Sequence, residues 1–349
     1  MFGGLERLLG AFGNSFNSEL AEMRIKNIAQ FINPLGNLKE VKWLSEFLID
    51  ALRYELRDPQ GKKDYSKLKE VIERNKEKIR KEEIIDNFPY VVLFVVGHLE
   101  NPLMYRGYPD FFRQHGIGHI YYIPLHPWQD LATNADYLIE MAEFAQKETG
   151  KEGIALIPHS RGGLVCGYAA TVRPDGLSKF KTVISVGTPW HGTFVANAAY
   201  YALMGKVGEW LLEKTGYSIT PIKEMMYCSR ITELISEEIG KKKDIEFYSI
   251  FSSRKDEAVI PGECAIMDSS NSVNIDVDEH LGTGNIGHVG LAKSEQVRQL
   301  ELDILMGRFD KEKFRKERSI ITFEEYRQRR ERKGRIATPY GKHEEIIAV

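Results

Sequence analysis

The stretch Ile154-Ala-Leu-Ile-Pro-His-Ser-Arg-Gly-Gly163 runs from an apolar segment into a serine and then into small residues that suit the start of a helix. A short apolar run ending in glycines predicts a buried strand followed by a tight turn. A serine hydroxyl becomes an effective nucleophile when a turn exposes it beside a base and a backbone N–H that stabilises an oxyanion. The stretch therefore predicts Ser160 as a nucleophile and the N–H of Arg161 as one oxyanion donor. A serine that merely caps the following helix is the alternative interpretation.

Strand and helix patterns alternate on both sides of this stretch. From residue 90 onward, short apolar runs are separated by helical segments, which is typical of a parallel sheet covered by helices on both faces. The predicted strands are 90–96, 120–125, 154–157, 182–186, 245–251 and 273–277, and the predicted helices are 109–115, 134–148, 162–172 and 291–306. We therefore expect an α/β catalytic domain over residues 90–307.

Three segments interrupt or flank this alternation. Residues 1–89 carry apolar stripes at helical spacing and predict an N-terminal helical extension. Residues 193–243 are too long and too apolar for one crossover, and they predict an inserted cap. Residues 308–349 are highly charged and predict a solvated helix and tail, although the basic run at 327–335 is also of a kind that binds phosphates.

An acid and a histidine are expected after the serine, in that order, at the ends of later strands. Asp256 follows the predicted strand 245–251 after a short turn, and His288 lies between glycines on a predicted loop before the last helix. A neutral imidazole at His288 would take the serine proton while Asp256 holds the correct tautomer. Glu257 is the nearest alternative acid, and His280 is the alternative base.

The second oxyanion donor is expected in the loop after the strand 90–96. The candidates are the backbone N–H groups of His98 and Leu99, and the sequence leaves both open. The His98 side chain has the further interpretations of a second base or a metal ligand. A structural hydrogen bond is the more ordinary role for a histidine beside a turn.

An apolar pocket is predicted where the cap begins. The segment 194–212 carries aromatic and aliphatic residues around most of a helical circumference. Facing the site, it would form an acyl pocket that excludes water, and burial in the core explains the same residues almost as well. The predicted pocket residues are Trp190, Phe194, Tyr200 and Trp210.

Four passages, in this order, resemble the lipase and esterase branch of the α/β-hydrolases, including triacylglycerol lipases and the GPI inositol-deacylase-like group. They are Phe94-Val-Val-Gly-His-Leu99, Pro158-His-Ser-Arg-Gly-Gly163, Gly187-Thr-Pro-Trp-His-Gly-Thr193 and Gly287-His-Val-Gly-Leu291. The resemblance implies the α/β-hydrolase fold and hydrolysis of carboxylic esters, with lipid-like acyl esters as substrates, through an acyl-serine. An acyltransferase or thioesterase with the same triad, and a catalytically silent interaction protein, are the alternatives.

Two departures from the family pattern lie next to the predicted chemistry. Gly97-His98 stands where such lipases usually read His-Gly, and Pro158 replaces the first glycine of the GxSxG motif. They indicate either altered substrate choice or an inactive relative. Some lipases of this group bind calcium near the histidine, and Asp268, Asp276 and Asp278 would be the ligands in this chain.

Composition limits the partners that we expect. The 349 residues are 42% hydrophobic and 28% charged, as in ordinary globular proteins, and the net charge of −2 provides no field that would attract nucleic acid. The three cysteines are far apart and form no CxxC pair, so neither a disulfide framework nor a zinc site is predicted. We expect no cofactor, no nucleic-acid partner, and a small-molecule or lipid ester as substrate.

The expected location is the cytoplasm. The first residues lack the pattern of a signal peptide, and no apolar run reaches the ~18 residues that span a bilayer. An N-terminal stripe of leucine and phenylalanine, from Phe2 to Phe12, would allow peripheral contact with a membrane.

Overall fold

A computed structural model describes residues 65–98, 100, 105, 107–171, 179–200, 218–269, 271–282, 286–317, 322, 323 and 325. The predicted N-terminal stripe, most of the predicted N-terminal extension, Leu99, Trp210 and the basic run at 327–335 lie outside the described residues. No helix among the described residues is long and apolar enough to cross a membrane.

Six strands form one sheet in which every pairing is parallel. The strands are β1 (Tyr90–Val95), β2 (Ile120–Ile123), β3 (Gly153–Pro158), β4 (Phe180–Val186), β5 (Glu246–Phe251) and β6 (Ser272–Asp276). All six predicted strands are therefore confirmed. Their order in the sheet is β2-β1-β3-β4-β5-β6.

This strand order marks where a site should lie. The chain moves from β1 to β2 on one side and then crosses to β3 on the other, so the direction of winding changes between β1 and β3. In open parallel sheets, a crevice forms outside the carboxyl ends of the strands at such a switch point. The turn after β1, with Gly97 and His98, and the turn after β3, with Ser160, meet at this crevice.

Eleven helices are assigned within the described residues. They are α1 (Tyr65–Lys81), α2 (Tyr108–Arg113), α3 (Leu131–Thr149), α4 (Arg161–Thr171), α5 (Phe194–Ala199), α6 (Thr220–Glu224), α7 (Arg230–Ile239), α8 (Val277–His280), α9 (His288–Lys293), α10 (Glu295–Leu305) and α11 (Lys311–Glu317). A 3₁₀ turn spans Gly262–Ala265.

The core consists of two apolar layers, one on each face of the sheet. Successive residues of a strand point to opposite faces. Accordingly, Val91 and Leu93 pack with residues of α1, α3, α4 and α7, whereas Val92 and Phe94 pack with residues of α2, α9 and α10. The helix α1 is part of the first layer through Leu68 and Ile72, so this portion of the predicted extension packs against the sheet domain.

The C-terminal half of the fold differs from the sequence-based expectation in two places. The single helix predicted over 291–306 is wrong: it is two helices, because the Ser294 side chain caps the start of α10 by accepting the N–H of Val297 at 3.4 Å. His288 is correspondingly the first residue of α9 and not part of a loop. Within the predicted solvated tail, Phe314 and Phe323 are buried against the domain.

Candidate active site

Ser160 lies on a strained turn between β3 and α4. Its φ angle is 53°, in the left-handed region that residues other than glycine seldom adopt. A serine that served only as a helix cap would have extended backbone angles, so this conformation favours an exposed nucleophile. Pro158 ends β3 in register with Val95, and the N–H of His159 donates to the carbonyl of Val95 at 2.9 Å. The turn therefore forms with proline in place of the first glycine.

The glycines after Ser160 let α4 approach its neighbours closely. A Cβ atom on Gly162 would lie 2.6 Å from the carbonyl oxygen of Val95, and one on Gly163 would lie 1.9 Å from Oγ1 of Thr188. Side chains at these positions would push α4 away from β1 and from the loop after β4. The small residues that predicted this turn are thus required by packing.

His288 and Asp256 form the predicted pair. The Nδ1 atom of His288 lies 2.9 Å from Oδ2 of Asp256, and the other oxygen of Asp256 accepts the N–H groups of Ala258 at 2.9 Å and Val259 at 2.7 Å. Burial lowers the pKa of His288, but the charge and hydrogen bond of Asp256, together with the nearby acids Glu100 and Glu257, outweigh it and raise the pKa to about 9. The arrangement favours the imidazolium form that a general base reaches after taking a proton.

The alternative acid and base have other contacts. The carboxylate of Glu257 accepts the backbone N–H of His288 at 2.8 Å, not a ring N–H. The ring of His280 packs edge-on against Phe314 and Phe309, with centroid distances of 5.4 and 6.3 Å. Neither Glu257 nor His280 takes part in the hydrogen bond between Asp256 and the ring of His288.

Two of the three aspartates considered for calcium fix the loop that carries Asp256. Oδ2 of Asp278 accepts the hydroxyl of Ser252 at 2.8 Å and the N–H of Arg254 at 2.9 Å. Oδ1 of Asp276 accepts the N–H of Ser253 at 3.3 Å. Because these carboxylates already hold the turn between β5 and Asp256, they set the position of the acid.

The placement of these aspartates does not support calcium binding, the alternative that the family resemblance raised. Asp268 accepts the N–H of Phe323 at 2.6 Å and lies 3.4 Å from Nε2 of His191, apart from the other two. Within the part of the chain that the structure describes, one group of three or more His, Cys, Asp or Glu side chains has ligand atoms within 4.8 Å of one another, and it contains none of the three aspartates.

The turn after β1 passes directly beside the nucleophile. A Cβ atom on Gly97 would lie 2.8 Å from Cβ of Ser160 and 2.7 Å from Oε2 of Glu100. The reversed order Gly97-His98 thus puts glycine at the point of closest approach, and the N–H of His98 follows immediately. Burial, and secondarily the charge of Arg161, lower the pKa of His98 to about 3, so its imidazole is neutral. Among the described residues its Nδ1 has no hydrogen-bond partner.

The structure reveals a second carboxylate and histidine pair, Glu100 and His159, that sequence reasoning missed. Oε1 of Glu100 lies 2.6 Å from Nδ1 of His159, and Oε2 accepts the N–H of Gly97 at 2.6 Å. Nε2 of His159 lies 3.0 Å from the carbonyl oxygen of His288, and the two imidazole centroids are 4.6 Å apart. Burial raises the pKa of Glu100, but the charge and hydrogen bond of His159 outweigh it and lower the pKa to about 2.

Glu100, His159 and His288 are the cluster whose ligand atoms lie within 4.8 Å of one another. Tetrahedral zinc with bonds of about 2.0 Å separates its ligand atoms by about 3.3 Å. The 2.6 Å between Glu100 and His159 is instead a charge-assisted hydrogen bond. The cluster fits a proton held between two side chains better than a metal ion.

The predicted pocket residues have different positions. Trp190 is 0% exposed, and its indole N–H donates to Oγ of Ser185 at 3.2 Å in the core, so its assignment to the pocket is wrong. Phe194, in α5, is partly buried and packs on Tyr227 at a centroid distance of 4.3 Å. Tyr200 lies beneath the ammonium of Lys223 at 5.7 Å.

The side chain of Arg161 links the turn of Ser160 to the end of helix α6, which lies within the predicted cap. Its buried guanidinium donates to the carbonyl of Gln129 at 2.6 Å and to the carboxylate of Glu224 at 3.3 Å. Glu224 also accepts the N–H of Leu131 at the start of α3, at 3.0 Å. The sequence predicted only the backbone role of Arg161, because no local pattern points to a partner 63 residues away.

Comparison with known proteins gives structural matches only. No protein-family model matches the chain, and no curated protein matches its sequence. Bacillus licheniformis lipase BlEst2 in its propeptide form is 17% identical, with a TM-score of 0.51 over 63% of this chain and 51% of that one. The mature form of BlEst2 is 16% identical, with a TM-score of 0.49 over 63% of this chain and 94% of that one.

Aspergillus fumigatus lipase B is also 16% identical, with a TM-score of 0.49 over 65% of this chain and 56% of that one. Identities this low establish the fold alone. With the all-parallel sheet and the strained serine between β3 and α4, the match to the propeptide form of BlEst2 shows that this chain has the α/β-hydrolase fold, as the sequence motifs implied.

Proposed function

We propose that this protein is a serine hydrolase that cleaves carboxylic esters through an acyl-Ser160 intermediate. One observation carries the proposal: His288, which is hydrogen-bonded to Asp256, lies beside His159 with ring centroids 4.6 Å apart, and His159 immediately precedes a serine in a strained left-handed conformation. Strained backbone conformations of residues other than glycine cluster at functional sites. A serine that only capped helix α4 would not need this conformation.

In the proposed reaction, Oγ of Ser160 attacks the carbonyl carbon of the ester while Nε2 of His288 takes the hydroxyl proton. Asp256 stabilises the imidazolium that forms. The N–H groups of Arg161 and His98 donate to the negative oxygen of the tetrahedral intermediate. The intermediate collapses when His288 gives its proton to the departing alcohol oxygen. Water, activated by the same imidazole, then hydrolyses the acyl-serine.

We further propose that the acyl group is lipid-like. The aromatic residues at the start of the predicted cap, Phe194 and Tyr200, are partly buried, and partly buried aromatic side chains suit an apolar pocket. The BlEst2 structure in its propeptide form, which matches this fold, is named as a lipase. Together, these observations favour an acyl ester over a small polar ester.

A fluorophosphonate probe tests the proposed nucleophile. It should label the wild-type protein and should fail to label Ser160→Ala. Ser294→Ala, which removes the side-chain cap of α10 and leaves the turn of Ser160 unchanged in sequence, is the matched control and should be labelled normally. Equal labelling of Ser160→Ala, or no labelling of folded wild type, would overturn the proposal.

A substrate panel tests the proposed reaction. Hydrolysis of p-nitrophenyl esters from butyrate to palmitate should depend on Ser160 and should favour the longer chains. Product analysis in the presence of an added alcohol separates hydrolysis from acyl transfer. If the alkyl ester of the added alcohol is the main product, the protein is an acyltransferase and not a hydrolase.

A further inference from the structure

The pair of Glu100 and His159 connects three parts of the proposed active site. Glu100 accepts the N–H of Gly97 in the turn after β1. His159 precedes the nucleophile, and its Nε2 lies 3.0 Å from the backbone carbonyl of the proposed base, His288. Both side chains are almost completely buried, with 2% and 0% exposure respectively. Such buried groups require complete hydrogen bonding.

The partners of His159 determine how many protons its ring carries. Nε2 faces a carbonyl oxygen, which is only an acceptor, so Nε2 must hold a proton. Nδ1 faces a carboxylate whose second oxygen already accepts the N–H of Gly97. The hydroxyl of Tyr105, 3.3 Å from Nδ1, also hydrogen-bonds to this carboxylate, and both donors favour the ionised acid. An ionised carboxylate is also only an acceptor, so Nδ1 must hold a proton as well. His159 is therefore an imidazolium paired with the Glu100 carboxylate.

The geometry points to Glu100 and His159 as positioning residues, an ion pair that fixes the oxyanion turn and the base around Ser160 while cancelling the carboxylate charge beside the nucleophile. This inference rests on the proposed hydrolase function. Without the cation, the Glu100 carboxylate would remain near an atom that becomes negative during the reaction. With the cation, the carboxylate holds the turn after β1 without an electrostatic penalty.

The charged groups that face His288 are Asp256, Glu257, Glu100 and His159. Replacing His159 with Gln keeps a donor amide beside Glu100 but removes the positive charge. The unpaired Glu100 carboxylate then stabilises protonated His288 more strongly, so His288 loses its proton only at higher pH. Because the ligand atoms of Glu100 and His288 lie within 4.8 Å of each other, we expect the pKa of His288 to rise by about one unit or more. Replacing Glu100 with Gln in the same protein removes the unpaired charge and should reverse the shift.

The pH dependence of kcat/KM for a p-nitrophenyl ester tests this inference in the full chain. The acidic limb should move to higher pH in His159→Gln and should return towards the wild-type position in His159→Gln/Glu100→Gln. At the optimum pH, kcat/KM should fall roughly 10- to 100-fold in both variants, because the two turns lose their fixed positions. Glu301→Gln is the control: it removes a buried carboxylate elsewhere in the fold and should leave the limb unchanged.

Nuclear magnetic resonance of histidine labelled with ¹⁵N gives a readout that does not depend on activity. At pH 7 both ring nitrogens of His159 should carry protons. The His159 signals are assigned by their loss in His159→Gln. In Glu100→Gln, only one ring nitrogen of His159 should carry a proton. A neutral His159 in the wild type, or an acidic limb that does not move in His159→Gln, would overturn the inference. Continued labelling of Ser160 by the fluorophosphonate would show that the proposed function survives. Loss of labelling in the wild type would overturn the function instead.

Discussion

Substituting asparagine for Asp256 should disable the base by reversing its tautomer. One oxygen of Asp256 accepts two backbone N–H groups, from Ala258 and Val259, and the other accepts the Nδ1–H of His288. Asparagine has a single side-chain oxygen. Because two N–H groups compete with one ring N–H for it, the oxygen should stay with the backbone and the amide NH₂ should face Nδ1. The proton then moves to Nε2, the atom that accepts the Ser160 proton in the proposed reaction, and Nε2 can no longer do so.

The size of the effect follows from this geometry. The same substitution in serine protease triads, where it leaves the wrong tautomer, lowers kcat by about 10⁴. We expect a loss of the same order here, equivalent to about 5 kcal/mol of transition-state stabilisation. Flipping the amide to restore the tautomer would leave the N–H groups of Ala258 and Val259 facing another donor, and buried unpaired donors cost about 1–3 kcal/mol each.

Steady-state hydrolysis of a p-nitrophenyl ester, with active sites counted by fluorophosphonate titration, measures this loss. Glu257→Gln is the matched control, since Glu257 contacts the backbone N–H of His288 and glutamine keeps an oxygen for that bond. It should reduce kcat less than tenfold. If Asp256→Asn loses less than tenfold, or if Glu257→Gln loses as much as Asp256→Asn, the assignment of the acid is refuted.

Three further substitutions test other parts of the site and fold. Gly97→Ala places a methyl group 2.8 Å from Cβ of Ser160, so we expect a cost of about 1–3 kcal/mol and slower fluorophosphonate labelling; labelling at the wild-type rate would contradict this. Glu224→Gln removes the carboxylate that pairs with the buried Arg161 cation and leaves it the uncharged carbonyl of Gln129, and urea unfolding should show a loss of about 3–5 kcal/mol; an unchanged midpoint would mean that the pair is not coupled to folding. Glu301→Gln should flatten the pH dependence of thermal unfolding. Burial raises the pKa of Glu301 to about 8 from 4.5, so the folded wild type retains a proton that the unfolded chain releases, and its stability falls as the pH rises from 4.5 through 8. If the melting temperatures of wild type and Glu301→Gln change with pH in the same way from pH 5 to 9, this assignment is contradicted.

The sheet and the nucleophile turn were predictable because their signals are local. Each strand is a short apolar run between turns, and burial on both faces demands continuous hydrophobicity. The turn at Ser160 is encoded by glycines at 162 and 163, whose missing side chains the structure explains by contacts with Val95 and Thr188. Chain order then selected Asp256 and His288, since acid and histidine follow the serine at the ends of later strands.

The sequence failed where long-range packing decides the outcome. Trp190 resembles a pocket residue because it is aromatic and adjoins the cap, but its indole finds a hydrogen bond with Ser185 only inside the folded core. The break at Ser294 was hidden because the apolar spacing continues across it. Glu100 lies 59 positions from its partner His159, and no periodicity relates residues on two different strand ends.

The reversed order Gly97-His98 and the histidine that precedes Ser160 have a common explanation in Glu100. The turn after β1 has glycine at the point nearest Ser160, and the space beside that glycine is occupied by the Glu100 carboxylate, which accepts its N–H. A carboxylate in this place would oppose the negative charge that develops on the substrate oxygen. The residue before the nucleophile is therefore constrained: it must supply a positive charge while donating to the carbonyl of His288, and histidine meets both demands from a buried position at the end of β3. By this reasoning the unusual oxyanion turn and His159 form one electrostatic unit: Glu100→Gln should restore the acidic limb of the pH profile in the His159→Gln protein, whereas kcat/KM at the optimum pH should stay reduced because both turns have lost their fixed positions.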